Sequence, residues 1–163
     1  MSAESLSDVN CAVAQTLNLV GELWTLMVLR NIFNGMYTFD ELQDHLGLST
    51  SVLSARLAKL TGARILEKQQ SRADRRSFEY RLTTRGRDLY PILIALNEWG
   101  EKWVPGRRGK RLILLEKSTG EPIAGVRVLS GAGRALLLTE VEAIPGPGAD
   151  PKIRTLVGAR NGA

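Results

Sequence analysis

TFDELQDHLGLSTSVLSARLAKL, residues Thr38 to Leu60, reads as two short helices joined by a tight turn. Thr38 followed three positions later by Glu41 is a capping box, in which hydroxyl and carboxylate satisfy free amides of the first turn. Phe39, Leu42 and Leu46 share one helical face. Gly47 ends that helix by taking the left-handed conformation, and Leu48 plugs the corner. Ser49 caps a second helix whose buried stripe is Leu53, Leu57 and Leu60. Its opposite face carries Ser51, Ser54, Ala55, Ala58 and Lys59. These side chains are small or polar, as a helix entering the DNA major groove requires. Two amphipathic helices around a glycine also make a plain helical hairpin, so the flanking sequence must decide.

Downstream, Ile65–Gln70 and Ser77–Thr83 have strand character. Phe78, Tyr80 and Leu82 alternate with Glu79 and Arg81. Between them lies SRADRRS, with Arg72, Arg75 and Arg76 around one carboxylate. A basic hairpin directly after a helix-turn-helix is a wing, able to reach phosphates or a narrow minor groove. The charge distribution agrees. Residues 1–48 carry one arginine against six acids, residues 49–87 ten basic residues against three acids, and residues 88–163 eleven against eight. Most of the net positive charge sits in the second helix and wing, the footprint of a polyanion-binding face.

Upstream, Val13, Ala14, Leu17 and Val20 have helical spacing, and Gly21 allows a bend. A helix is expected from Glu22 to Phe33, with a broad apolar surface of Leu23, Trp24, Met27, Val28 and Ile32, ending at Asn34-Gly35. Beyond the wing, Thr83 or Thr84 caps a long helix to about Trp103, with Pro91 interrupting an early turn. Leu89, Ile92, Leu93, Leu96, Trp99 and Trp103 form its stripe. Such apolar breadth calls for a second chain or the first helices as cover. Pro105-Gly106-Arg107-Arg108-Gly109 is a linker by composition. Arg111–Glu116, Ile123–Leu129, Ala135–Val141 and Ile153–Val157 read as short strands, with turns at Ser118–Glu121 and Ser130–Gly133.

The expected fold is therefore α+β: a winged helix-turn-helix domain with flanking dimerisation helices and a small β-rich C-terminal extension. The boundaries fall at 1–104 for the domain, 105–109 for the linker and 110–163 for the extension. The candidate DNA-contacting residues are Ser49, Thr50, Ser51, Ser54, Ala55, Arg56 and Lys59 on the second helix, and Arg72, Arg75 and Arg76 on the wing.

The residues from Cys11 to Trp103 resemble the HxlR-type regulators, a branch of the MarR-like winged helix-turn-helix proteins. The matching blocks are Cys11-Ala12-Val13, Gly21-Glu22-Leu23-Trp24-Thr25-Leu26 with Leu29-Arg30, and Phe39-Asp40-Glu41-Leu42. Gly47-Leu48-Ser49 with Leu53, Arg56-Leu57 and Leu60 follow, then Tyr80-Leu82-Thr83 before Gly86, and Trp99-Gly100. The family's usual Cys-Pro is Cys-Ala here. The basic second helix and wing, with the small-residue face, predict sequence-specific binding to an inverted-repeat operator in double-stranded DNA, as a repressor in the first instance or as an activator. The resemblance implies a homodimeric transcription regulator. It also implies outer helices as the dimer interface.

Catalysis finds little material. His45 is the one histidine and reads as a surface residue, so with a single cysteine no zinc set can be assembled. Neither G-x-S-x-G nor a P-loop occurs, and Gly131-Ala132-Gly133 is a turn rather than a dinucleotide site. No cofactor is expected. Cys11, near the first helix's start, is a candidate redox or electrophile sensor; the competing reading is an apolar filler at the dimer interface. Glu4 and Asp8, close by in the sequence, weigh against the sensor reading. A small-molecule effector in a pocket between the helices and the tail is the alternative input. One cysteine fits a reducing cytoplasm. No signal peptide is read, and Leu17–Phe33 is too interrupted to span a membrane. The competing functional class is a ligand- or protein-binding assembly module on a winged-helix scaffold.

Overall fold

The computed structural model describes residues 9–72, 74–104 and 106–158. Glu4, Asp8, Ala73 at the wing tip and Pro105 of the linker lie outside the described residues, as does residue 159 onward.

Helices α1 (Ala12–Val20) and α2 (Thr25–Phe33) meet at 78°. The second helix starts three residues later than its apolar pattern suggests. The reason is the turn: Trp24 takes a left-handed φ of 74°, which no helix interior tolerates. Helix α3 (Phe39–Leu46) opens with the expected capping box. Glu41 N–H donates to Thr38 Oγ1 at 3.3 Å and Thr38 N–H to Glu41 Oε2 at 2.9 Å. Gly47 closes it at φ 63°. Ser49 caps α4 (Thr50–Gly62), accepting from Val52 N–H at 3.4 Å.

Strands β1 (Leu66–Gln70) and β2 (Phe78–Leu82) form an antiparallel hairpin in register Leu66↔Leu82 to Gln70↔Phe78. A bridge from Thr38 to Glu79, with Tyr80 N–H donating to Tyr37 O at 2.7 Å, ties the wing to the start of α3. One core unites these elements: Val28, Leu29 and Ile32 from α2, Leu42, the corner residue Leu48, Leu53, Leu57 and Leu60 from α4, and Ile65 and Leu66. Burial of each such side chain is worth about 1.5–3 kcal/mol, so the leucine stripe of α4 fixes which face that helix turns outward.

The long last helix is in fact two. Thr83 caps α5 (Thr84–Arg87), and α6 (Tyr90–Trp103) begins after a break at Asp88-Leu89. Pro91 sits in the first turn of α6, where its missing N–H costs nothing. It starts a helix rather than kinking one.

The extension follows the expected turns but not the expected ladders. Its pairing consists of single bridges, Leu115↔Pro122 and Leu129↔Ala135, and Leu138–Glu140 forms a 3-10 turn. The strand expected at Ile153–Val157 is instead helix α7 (Pro151–Gly158). Asp150 Oδ1 accepts from Ile153 N–H at 2.8 Å and Pro151 occupies the first helical position. Cap and proline outweigh the strand preference of the β-branched residues.

Candidate nucleic-acid interface

The leucines of α4 point inward, so the residues between them make the outer face. Ser49, Thr50, Ser51, Ser54, Ala55 and Ala58 are all exposed. The corner holding this face is braced from α3: Gln43 Nε2 donates to Leu48 O at 3.1 Å and to Thr50 Oγ1 at 3.0 Å. Ser49 and Ser51 hydroxyls are 3.2 Å apart. The face presents hydroxyls and methyl groups on a rigid helix, a surface that fits between groove walls.

Arg56 and Lys59 are placed differently from the other α4 candidates. Both form ion pairs with Glu22 in the α1–α2 turn, and their side chains are only 22% and 31% exposed. Glu22 thus anchors α4 to the preceding helices and neutralises part of its charge. Nothing local in the sequence marks a partnership across 37 positions. The same holds for Gln43, whose role is visible only once the turn is built.

The wing keeps its guanidinium groups available. Arg72, Arg75 and Arg76 are exposed, and among the described residues no carboxylate pairs with any of them. Asp74 is occupied with the backbone, its Oδ1 accepting from Arg76 N–H at 2.9 Å. The base of the wing is stiffened by polar and aromatic contacts. Buried Ser71 donates to Glu79 Oε1 at 2.8 Å, Arg81 Nε donates to Glu79 Oε2 at 2.9 Å, and the Arg81 guanidinium lies 3.4 Å from the Tyr37 ring centroid. The Ser71 hydrogen bond, then Arg81, hold the Glu79 carboxyl below the usual carboxylate range. Lys68 lies over the Phe78 ring at 4.4 Å.

Two features lie behind the interface. Asn31, buried in α2, accepts from Arg30 Nε at 3.1 Å and faces His45 Nδ1 with its amide nitrogen at 2.8 Å. The Arg30 bonds fix the Asn31 amide oxygen and so turn its nitrogen towards the His45 ring. This network borders an open cavity of about 530 Å³ that also touches Asn97, Glu101 and Arg111. Cys11 occupies the N-cap position of α1, half-buried and free. Among the described residues no set of three or more His, Cys, Asp or Glu side chains is gathered to hold a metal, and no single helix is long and apolar enough to cross a membrane.

The model of the HxlR-like helix-turn-helix family matches residues 19–108. An uncharacterized HTH-type transcriptional regulator of Mycobacterium tuberculosis is 33% identical over 142 residues, 87% of this chain and 90% of that protein. Among solved structures, that of PA1607, a candidate transcription factor, matches with a TM-score of 0.80 at 30% identity. It covers 87% of this chain and 99% of its own. The oxidised form of the redox regulator HypR matches with a TM-score of 0.52 at 28% identity, over 56% of this chain and 96% of its own. An 87% cover cannot fit within residues 1–108, so the likeness to PA1607 reaches into the extension.

Proposed function

The chain belongs to the HxlR-like helix-turn-helix family of transcriptional regulators, and we propose that it acts in the cytoplasm as a homodimeric repressor on an inverted-repeat operator. The observation that carries this reading is the pairing of an outward face of small hydroxyl residues on α4 with three unpaired arginines on the wing. Ser49, Thr50, Ser51, Ser54 and Ala55 are assigned to base edges, and Arg72, Arg75 and Arg76 to phosphates or the minor groove. Arg56 and Lys59 are assigned to the border of the footprint, where Glu22 shares their charge. The dimer joins through the uncovered apolar side chains of α1, α2 and α6, among them Leu17, Leu23, Trp99 and Trp103. Two-fold symmetry then matches a two-fold operator. Residues 1–104 form the DNA-binding unit and 110–163 an addition to it. Two inputs fit the geometry: an effector in the cavity at His45 and Arg111, or modification of Cys11, as the redox naming of HypR suggests.

The test is selection from genomic fragments followed by titration at several salt concentrations. An operator should be enriched, and its affinity should fall steeply with salt through counterion release. Arg75→Ala with Arg76→Ala should weaken binding to every sequence and flatten the salt slope by about two. Ser54→Ala should shift base preference while leaving the slope alone. Failure to enrich any fragment points to an assembly module instead.

A further inference from the structure

The extension has the side chains of a protein interior and the exposure of a surface. From Ala95 to Gly158 no described residue is buried. Val128, Leu129, Leu137, Leu138 and Ile144 are 57–77% exposed. The backbone is nonetheless held in place. Glu101 accepts from Arg111 N–H at 3.1 Å and Arg111 Nε at 3.0 Å, while Glu98 accepts from Val126 N–H at 2.9 Å. A Cβ on Gly125, which has a φ of 82°, would overlap the Glu98 carboxylate, so glycine is required for that seat. Asn10 Nδ2 donates to Gly148 O at 2.9 Å. The extension is therefore positioned, but its apolar side chains are left uncovered.

Helix geometry explains why the same chain does not cover them. Ile92, Leu96, Trp99 and Trp103 lie along one side of α6, whereas Glu98 and Glu101 lie roughly opposite, near buried Ile94. The extension is tied to the side of α6 away from the apolar stripe. Two apolar surfaces on one chain thus stay apart. The surface area gives the scale. A compact monomer of this mass exposes about 8,000 Å², whereas this chain exposes 12352 Å². Setting aside roughly half of that excess for the residues outside the described set leaves on the order of 2,000 Å² per chain, which over two copies is about the 2,000–5,000 Å² in total that obligate homodimers bury. In a two-fold dimer each copy supplies both surfaces, so one self-complementary contact covers both twice.

We infer that residues 110–158 are a cross-subunit arm whose uncovered apolar side chains pack on a second copy of this chain, beside its α6 stripe. This rests on the homodimer reading above and gives the extension its partner. The test places the photo-cross-linking residue p-benzoylphenylalanine at position 137 of the full chain and sediments the same sample. The expected result is a sedimenting dimer that yields a band of dimer mass on a denaturing gel after irradiation. A dimer whose cross-links stay within one chain overturns the arm and leaves the dimer standing. A monomer overturns both. As a second measurement, Val128→Asp with Leu138→Asp should raise the dimer dissociation constant at least tenfold, with the circular dichroism spectrum unchanged. An unchanged dissociation constant overturns the arm.

Discussion

Residues 38–82 and residues 90–158 treat their apolar side chains in opposite ways. In the first region Leu42, Leu53, Leu57, Leu60 and Leu66 are all at or below 1% exposure, and what faces water is mostly polar, charged or small, with Phe78 at 49% the large apolar exception among the described residues. In the second, Trp99 and Trp103 stand 61% and 62% exposed and, among the described residues, only Ile94 is buried. Hydrophobic content does not separate the two; completion does. Local helix caps, one glycine corner and a hairpin bring the winged region's leucines together within a single chain. The α6 stripe and the extension expose more apolar surface than a solitary soluble chain tolerates. The proposed DNA-reading face is thus a single-chain object, while in the proposed dimer the spacing between two such faces is a property of the pair.

The largest effect should come from breaking the second region. Trp99→Asp with Trp103→Asp removes two aromatic anchors from the centre of the proposed seam. Loss of such anchors should raise the dimer dissociation constant about a hundredfold or more and reduce affinity for a full inverted repeat accordingly. The winged region should keep its fold, because Trp99 and Trp103 are exposed and neither belongs to its core cluster. Sedimentation and circular dichroism on one sample check both halves of the claim. Loss of the fold together with the dimer would erase the contrast between the regions.

The two regions also differ in how far the sequence reveals them. Helices α3 and α4, the glycine corner and the wing were legible because each rests on short-range signals: Thr38 with Glu41, Gly47, Ser49, and alternation from Phe78 to Leu82. Their candidate DNA face was legible for the same reason, since the leucine stripe dictates what remains outside. The start of α2 was not, because no glycine or asparagine marks the left-handed φ that Trp24 adopts. The break before α6 turns on Pro91, which serves equally to begin a helix or to bend one. In the extension, alternation suggested ladders where the structure has single bridges. Alternating residues form a ladder only when a neighbouring strand satisfies their backbone, and here the turns alone provide pairing. At α7 the Asp150-Pro151 helix start competes with the strand preference of Ile153 and Val157, and the two signals are of opposite sign in the sequence. The Glu22 contacts to Arg56 and Lys59 were not legible in principle, because an ion pair between distant segments leaves no periodic trace.

That ion pair supplies a smaller test, inside the winged region. Glu22→Gln leaves Arg56 without its carboxylate, and Arg56 already has a buried Nε lacking a hydrogen-bond partner. Stability should fall by about 1 kcal/mol, as for a part-exposed pair. Affinity for non-specific duplex should rise severalfold, since two cations on α4 lose their local counter-charge. Denaturant titration and a salt-dependent binding series measure the two effects, which run in opposite directions. If both stability and non-specific affinity fell, Glu22 would be positioning α4 rather than screening it.

The smallest effect concerns the cap that starts α3. The Glu41 carboxyl is held below its usual range by hydrogen bonds from the Thr38 backbone, the Thr38 hydroxyl and the Tyr37 backbone, with Arg81 adding a weaker attraction. A carboxyl depressed in the folded state favours folding above its unfolded value of 4.5 and loses that contribution as pH falls through the lower folded value. Glutamine keeps one acceptor oxygen but no charge, so Glu41→Gln removes only the charge-assisted part of the cap. Exposure to water keeps this to about 0.5 kcal/mol at neutral pH, or roughly 1–2 °C in melting temperature. The gap between wild type and variant should narrow as the pH is taken below 4.5 and close once it lies below the lower folded value. It should also be indifferent to protein concentration, because the cap lies within one chain. The α6 variant should show the reverse, a melting temperature that depends on concentration through dimer linkage. A Glu41→Gln gap that widened in acid, or that tracked protein concentration, would mean that the start of α3 is coupled to the assembly rather than completed within its own chain.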